Sequence, residues 1–193
     1  KHISDETSIF IDTGCAIAWM MQSFKVKGRQ RLFHDNNNTA MGWALPASIA
    51  GACYKNNEPI VCITGDGSLM MNLQELATLR YLKLPIIVLI VNNQGYSMIK
   101  QTQEQWLNSN FLASSKDKGL GFPDFAKVAD AFDIDFFDFK NEGQEIEFYE
   151  FFKKDIKNPI MINININPFW RVTPQVKYGR PNEDPDPLLD RDI

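Results

Sequence analysis

The chain has 193 residues and 44% hydrophobic content, which suits one compact domain with a sizeable core and leaves little room for a second. Its net charge of -4, with acidic and basic residues interspersed, excludes a basic stripe for nucleic acid and a Lys/Arg-rich amphipathic face for a membrane. No apolar run approaches the roughly 18 residues of a membrane span, and Cys15, Cys53 and Cys62 form no C-x-x-C pair, so buried reduced thiols and a cytoplasmic location are expected.

Short β-rich apolar runs alternate with helix-period segments, the order of parallel strands joined by crossover helices. The expected class is therefore α/β, a three-layer parallel sheet flanked by helices. In chain order, a strand is predicted over 8–12 and a helix after Gly14, then a strand over 31–34 and a helix over 46–54. A strand over 60–64 runs through Gly65-Asp66-Gly67-Ser68 into the best helix, 69–83, where Leu69, Leu73, Leu76 and Arg80 mark one side. Next come a strand over 86–92, a helix over 123–132, a strand over 134–139, a helix around 144–153 and a strand over 160–166. Pro46 and Pro123 suit a first helical turn. One domain is expected over 1–166, with a Pro- and charge-rich tail over 167–193 that is docked or disordered.

Two polar loops emerge at the carboxyl ends of two apolar strands: Gly65-Asp66-Gly67-Ser68 and Asn92-Asn93-Gln94-Gly95. In parallel sheets that edge is where ligands bind. Asp66 offers a carboxylate, Asn93 an amide oxygen, and a nearby backbone carbonyl can add a third, a set suited to a hard divalent cation such as magnesium. The glycines let backbone N–H groups approach a phosphate, and a helix beginning near Ser68 points its positive end at the same spot. A lone Gly-Asp-Gly carries little weight because turns use these residues for geometric reasons; the pairing of the loops carries the argument. There is no Walker-type Gly-Lys-Ser/Thr and no Gly-x-Gly-x-x-Gly after a strand.

With 24 residues between Gly67 and Asn92, the chain resembles the thiamine-diphosphate enzymes, whose signature is Gly-Asp-Gly, a spacer in the twenties, then Asn-Asn. The segments Thr39-Ala-Met-Gly-Trp-Ala-Leu-Pro-Ala-Ser-Ile-Ala-Gly-Ala52 and Asn72-Leu-Gln-Glu-Leu-Ala-Thr78 look like the acetolactate synthase branch, and the likeness covers roughly 9–166. The resemblance implies the thiamine-diphosphate-binding fold. It implies that Asp66, the Asn93 side chain and the Gly95 carbonyl hold Mg2+, and that amides around Gly65, Gly67 and Ser68 hold phosphate oxygens of thiamine diphosphate. Met41 stands where the branch places a bulky apolar residue beneath the cofactor, and the backbone of Thr39 and Met41 would bond the aminopyrimidine, although relatives often have glycine where Thr39 stands. Tyr96, Ser97 and Met98 stand where members place cofactor and substrate contacts; an ordinary helix start explains them equally. Core packing is an alternative for Met41 and Met71, a salt bridge or interface for Glu75, and a satisfied loop histidine for His34.

The segment Asp12-Thr-Gly-Cys-Ala-Ile-Ala-Trp19 matches the family's first phosphate loop in Asp12, Gly14 and Trp19, but Cys15 and Ala16 occupy the places of a Gln-His pair. Backbone N–H groups of Thr13, Gly14 and Cys15 must then contribute more. The implied activity is that of a 2-keto acid decarboxylase or carboligase, a lyase or transferase, with the acceptor open. In this family a glutamate on a separate pyrimidine-binding domain, contributed at a dimer interface, activates the cofactor. No such domain is read here, and the chain starts at Lys1 without methionine, so a fragment inactive by itself is expected. The partner domain lies on the same polypeptide or on another chain. The alternative is a non-catalytic cofactor-binding or regulatory domain.

Overall fold

A computed structural model describes residues 3–55, 58–152, 156–177 and 179–188. The predictions at Lys153 and over 189–193 lie outside these residues. Among the described residues, six strands form one wholly parallel sheet: β1 (Ser8–Ile11), β2 (Arg31–Phe33), β3 (Ile60–Gly65), β4 (Ile86–Asn92), β5 (Asp135–Phe139) and β6 (Ile160–Asn165), in the order β2-β1-β3-β4-β6-β5. Each predicted strand is present within a residue or two of its expected bounds.

Helices cover both faces. On one, Leu45 and Ala52 of α2 (Ala44–Tyr54), Leu76 and Leu79 of α4 (Glu75–Leu82) and Phe125 and Ala129 of α6 (Phe125–Ala131) pack on Ile60, Cys62, Ile86, Val88 and Ile90. On the other, Met20 of α1 (Cys15–Ser23) and Phe148 and Phe151 of α7 (Glu145–Phe152) pack on Ile9, Val61, Ile87, Ile160 and Ile162. Strand β4 contributes alternate residues to both clusters, which is why it reads as an unbroken apolar run.

Four local expectations are corrected. The helix predicted over 69–83 is broken: a single turn, α3 (Asp66–Leu69), is followed by backbone bonds that skip three residues, as from Met71 N to Ser68 O at 3.1 Å, before α4 starts at Glu75. Asn72 sits in the break and donates its side-chain amide to the Gly42 carbonyl; tying the 39–42 loop to the sheet edge wins over helical continuity. Pro46 is the third residue of α2 rather than its first, still within the turn whose N–H groups lack partners. Pro123 precedes α6, whose cap is Asp124, with its carboxylate accepting from Ala126 N at 2.9 Å. Cys53 is exposed, whereas Cys15 and Cys62 are buried, all three as free thiols.

Helix α5 (Ser97–Trp106) begins where Tyr96, Ser97 and Met98 offered an ordinary helix start, although its length was not predicted, and it receives the segment after β6. Gln101 clamps Val172 through both backbone groups, at 2.9 and 3.1 Å, and Arg171 grips Glu104 with two nitrogens. Beyond it lies a short antiparallel pair, β7 (Gln175–Val176) and β8 (Pro185–Asp186). Among the described residues no helix is long and apolar enough to cross a membrane.

Candidate functional site

The chain runs from β1 outward to β2, then returns to place β3 on the opposite side of β1. The loops after β1 and β3 therefore diverge at the carboxyl edge, and the crevice they leave is where open α/β sheets bind ligands. Asp12, at the end of β1, is 1% exposed and holds the crevice together: it accepts from Thr64 Oγ1 of β3 at 2.6 Å and from Ala44 N, the start of α2, at 2.8 Å. Burial pushes its carboxyl above the usual range, against those two hydrogen bonds.

A cavity of about 380 Å³ opens there, within the size range of small-molecule sites. Every residue expected at the site lines it: Thr13, Gly14 and Cys15 after β1; Thr39 and Met41 in the loop before α2; Gly65, Asp66, Gly67 and Ser68 after β3; Asn93, Gly95, Tyr96, Ser97 and Met98 after β4. Ala16 and Trp19, named in the first phosphate loop but given no contact, join them, as do Val91 and Ile99, which were not singled out. Trp19 had a signal in its match to the first phosphate loop; Val91 and Ile99 are apolar residues indistinguishable from core in sequence.

Asp66 and Asn93 approach each other over one backbone donor. Asp66 Oδ2 and Asn93 Oδ1 both accept from Gly95 N, at 3.2 and 3.1 Å, while Asp66 Oδ1 accepts from Gly67 N at 2.7 Å. Asp66 is 2% exposed, and among the described residues it has no ion-pair partner. Burial pushes its carboxyl up to about 6, in spite of backbone hydrogen bonds that pull the other way. A desolvated carboxylate with lone pairs to spare and an amide oxygen beside it fits a hard cation. Among the described residues no cluster of three His, Cys, Asp or Glu side chains forms, so a metal held here would take amide and backbone oxygens beside a single carboxylate.

The rest of the cavity offers donors. Gly14, at φ +100°, caps α1, a conformation that L side chains rarely adopt, and so turns the first N–H groups of this nine-residue helix to the cavity edge. Helix α5 starts at Ser97 on the same cavity. The Ser97 hydroxyl is buried without a hydrogen-bond partner among the described residues, an orphan of the kind a bound phosphate oxygen satisfies. Gly67 must be glycine for space: a Cβ there would overlap the Tyr96 ring. The long helix dipole expected behind Ser68 is absent because α3 is one turn, and α1 and α5 take its place.

Thr39 has φ +49°, left-handed backbone in a β-branched residue. Met41 lines the cavity while 38% exposed, so it is not core filling. Met71 also leaves the core, at 49% exposure. His34 is a satisfied loop histidine, with Nδ1 2.9 Å from the Ile11 carbonyl, and Glu75 accepts from Thr78 Oγ1 at 3.0 Å.

Residues 12–164 match the family model described as thiamine pyrophosphate enzyme, C-terminal TPP binding domain. The chain is 32% identical to the acetolactate synthase large subunit of Pyropia yezoensis, over 89% of this chain and 28% of that protein. It is 31% identical to that of Porphyra purpurea, over 94% and 30%, and 26% identical to the acetolactate synthase isozyme 1 large subunit of Escherichia coli, over 94% and 32%. The chain thus spans about a third of the length of these relatives.

Proposed function

The chain belongs to the thiamine pyrophosphate enzymes, as their C-terminal TPP binding domain, and from this premise we propose that it holds thiamine diphosphate through a magnesium ion within an acetolactate-synthase-like 2-keto acid decarboxylase or carboligase. The observation that carries the reading is the convergence of the Asp66 and Asn93 oxygens on the Gly95 amide, with both side chains buried. Asp66, Asn93 and the Gly95 carbonyl would hold the metal. The N–H groups of Gly67, Ser68 and Thr13 to Cys15, with the Ser97 hydroxyl, would donate to the diphosphate. When bound, thiamine diphosphate supplies the electron sink for decarboxylation of a 2-keto acid.

The protein's part is to place the cofactor and exclude water. Met41, on the cavity wall, would support the middle of the cofactor, and the backbone of Thr39 and Met41 would bond its aminopyrimidine. No glutamate is among the described residues lining the cavity, and Met41, Met98 and Ile99 leave an exposed apolar rim at 38%, 43% and 47%. We read that rim as the seat of a pyrimidine-binding domain, on the same polypeptide or a partner chain in a homo-oligomer, which supplies the activating glutamate. The 167–177 segment belongs to the domain, held at Arg171 and Val172 by Glu104 and Gln101.

The reading is tested by assaying carbon dioxide release from pyruvate and longer 2-keto acids, with saturating magnesium and thiamine diphosphate. The 193-residue chain alone is expected to be inactive, and the chain joined to a pyrimidine-binding domain active. Turnover by the chain alone would overturn the division of labour, because an open site wets its electrostatic contacts and lacks the glutamate.

A further inference from the structure

The loop after β4 borders two cavities: Asn93 and Gly95 line the one described above, and Gln94 lines a second of about 520 Å³. Lys100 of α5 lines this second cavity while only 9% exposed. Its Nζ lies 2.9 Å from where a Cβ on Gly95 would stand. Among the described residues no carboxylate forms an ion pair with it, whereas its neighbours are partnered: Arg171 with Glu104, Asp117 with Ser115 Oγ at 2.7 Å. Burial, and then the positive charge of Arg171, lower the Lys100 pKa from its ordinary value.

An ammonium on a cavity wall with no carboxylate bonded to it among the described residues gains a charge-assisted hydrogen bond when an anion enters. The charged side chains on the cavity wall are Lys100, Lys116 and Arg171 against Glu104 and Asp117, leaving one positive charge for one negative ligand group. The carboxylates of Asp117, Asp66 and Glu104, all of which act on Lys100, disfavour a dianion. Phe111, Pro168 and Phe169 form apolar wall beside these charges, and Phe169 is 79% exposed, which suits a ligand with a hydrocarbon body.

We propose that this second cavity binds a small organic monocarboxylate, its carboxylate on the Lys100 ammonium and its hydrocarbon on Phe111, Pro168 and Phe169. The assignment does not depend on the cofactor reading, since it uses a different cavity and a different charge. An occupant would sit directly behind Gly95 and connect this pocket to the loop that also carries Asn93.

The test is an amide chemical-shift titration of the full chain with isovalerate, with its neutral isostere isovaleramide and with inorganic phosphate. Isovalerate is expected to shift the Phe111 and Phe169 amides saturably, isovaleramide to do so far more weakly, and Lys100→Gln to weaken isovalerate about tenfold, the loss of one charge-assisted bond. Lys100→Arg, which keeps the charge, should retain binding. Equal response to acid and amide would overturn the proposal without any variant. So would unchanged affinity in a folded Lys100→Gln, tighter binding of phosphate than of isovalerate, absence of saturation, or shifts confined to Thr13 and Gly14.

Discussion

Asp66 and Asn93, on loops after two neighbouring strands, share the Gly95 N–H as a common donor at 3.2 and 3.1 Å. One amide thus fixes the spacing of a carboxylate oxygen and a carboxamide oxygen that lie 29 and 2 residues away in sequence. That arrangement leaves Asp66 desolvated, its carboxylate held by backbone N–H groups alone among the described residues, and its titration reports the condition directly.

Burial raises the Asp66 carboxyl from 3.8 to about 6. The folded protein therefore holds this proton to higher pH than the unfolded chain, so folding stability falls as pH rises from about 4 to about 6 and stays lowered above. The upper bound is roughly 3 kcal/mol. Asp66→Asn cannot ionise and lacks the effect. In urea titrations without divalent cation, the wild type is expected to lose stability relative to Asp66→Asn between about pH 4 and pH 7, and magnesium at pH 7 to restore it in the wild type alone. A difference that does not change with pH would contradict the burial argument.

Gly67→Ala sets a Cβ against the Tyr96 ring, 2.7 Å from Cδ1 and closer still to Cε1. Either the ring swings out or the 65–68 turn shifts, at about 1–3 kcal/mol. Gly67→Ala/Tyr96→Ser is expected to recover part of that loss, so the two substitutions are non-additive in a thermal-denaturation cycle. Strict additivity would mean that the turn, not the ring, yields.

Met41→Ala, assayed with the pyrimidine-binding domain present, should lower kcat by tenfold or so while leaving cofactor affinity within a few-fold, because metal and phosphate contacts carry binding. Loss of affinity with a normal rate per bound cofactor would make Met41 a packing residue.

The strands were legible because β3 and β4 are buried on both faces and bounded by Gly65 and by the Asn92-Asn93 pair. The body of helix α5, beyond its start at Ser97, was not, since its pattern is inverted: Lys100, Gln101 and Gln103 are buried at 9%, 4% and 8%, while Met98, Ile99 and Trp106 are exposed. Buried polar side chains that serve the 172–175 segment, the second cavity and, for Gln103, the Leu112 carbonyl and Ser114 hydroxyl cancel the apolar periodicity on which helix recognition rests. The break at Asn72 was hidden for a related reason. Leu69, Leu73 and Leu76 keep helical spacing, but the side-chain bond from Asn72 to Gly42 is a tertiary contact that spacing alone does not reveal. Pairing of the two polar loops follows from β3 and β4 being neighbours with level ends, Gly65 opposite Val91.

Titration calorimetry of thiamine diphosphate into the chain, with magnesium and with EDTA, for wild type and Asp66→Ala, tests the central claim most directly. Saturable binding is expected for the wild type with magnesium only, and none for Asp66→Ala with its fold intact by circular dichroism, since the carboxylate is a ligand on a loop and not part of the core. Binding that survives EDTA, or that Asp66→Ala retains at wild-type affinity, would contradict the assignment of Asp66 and Asn93 as the metal-bridged anchor of the cofactor.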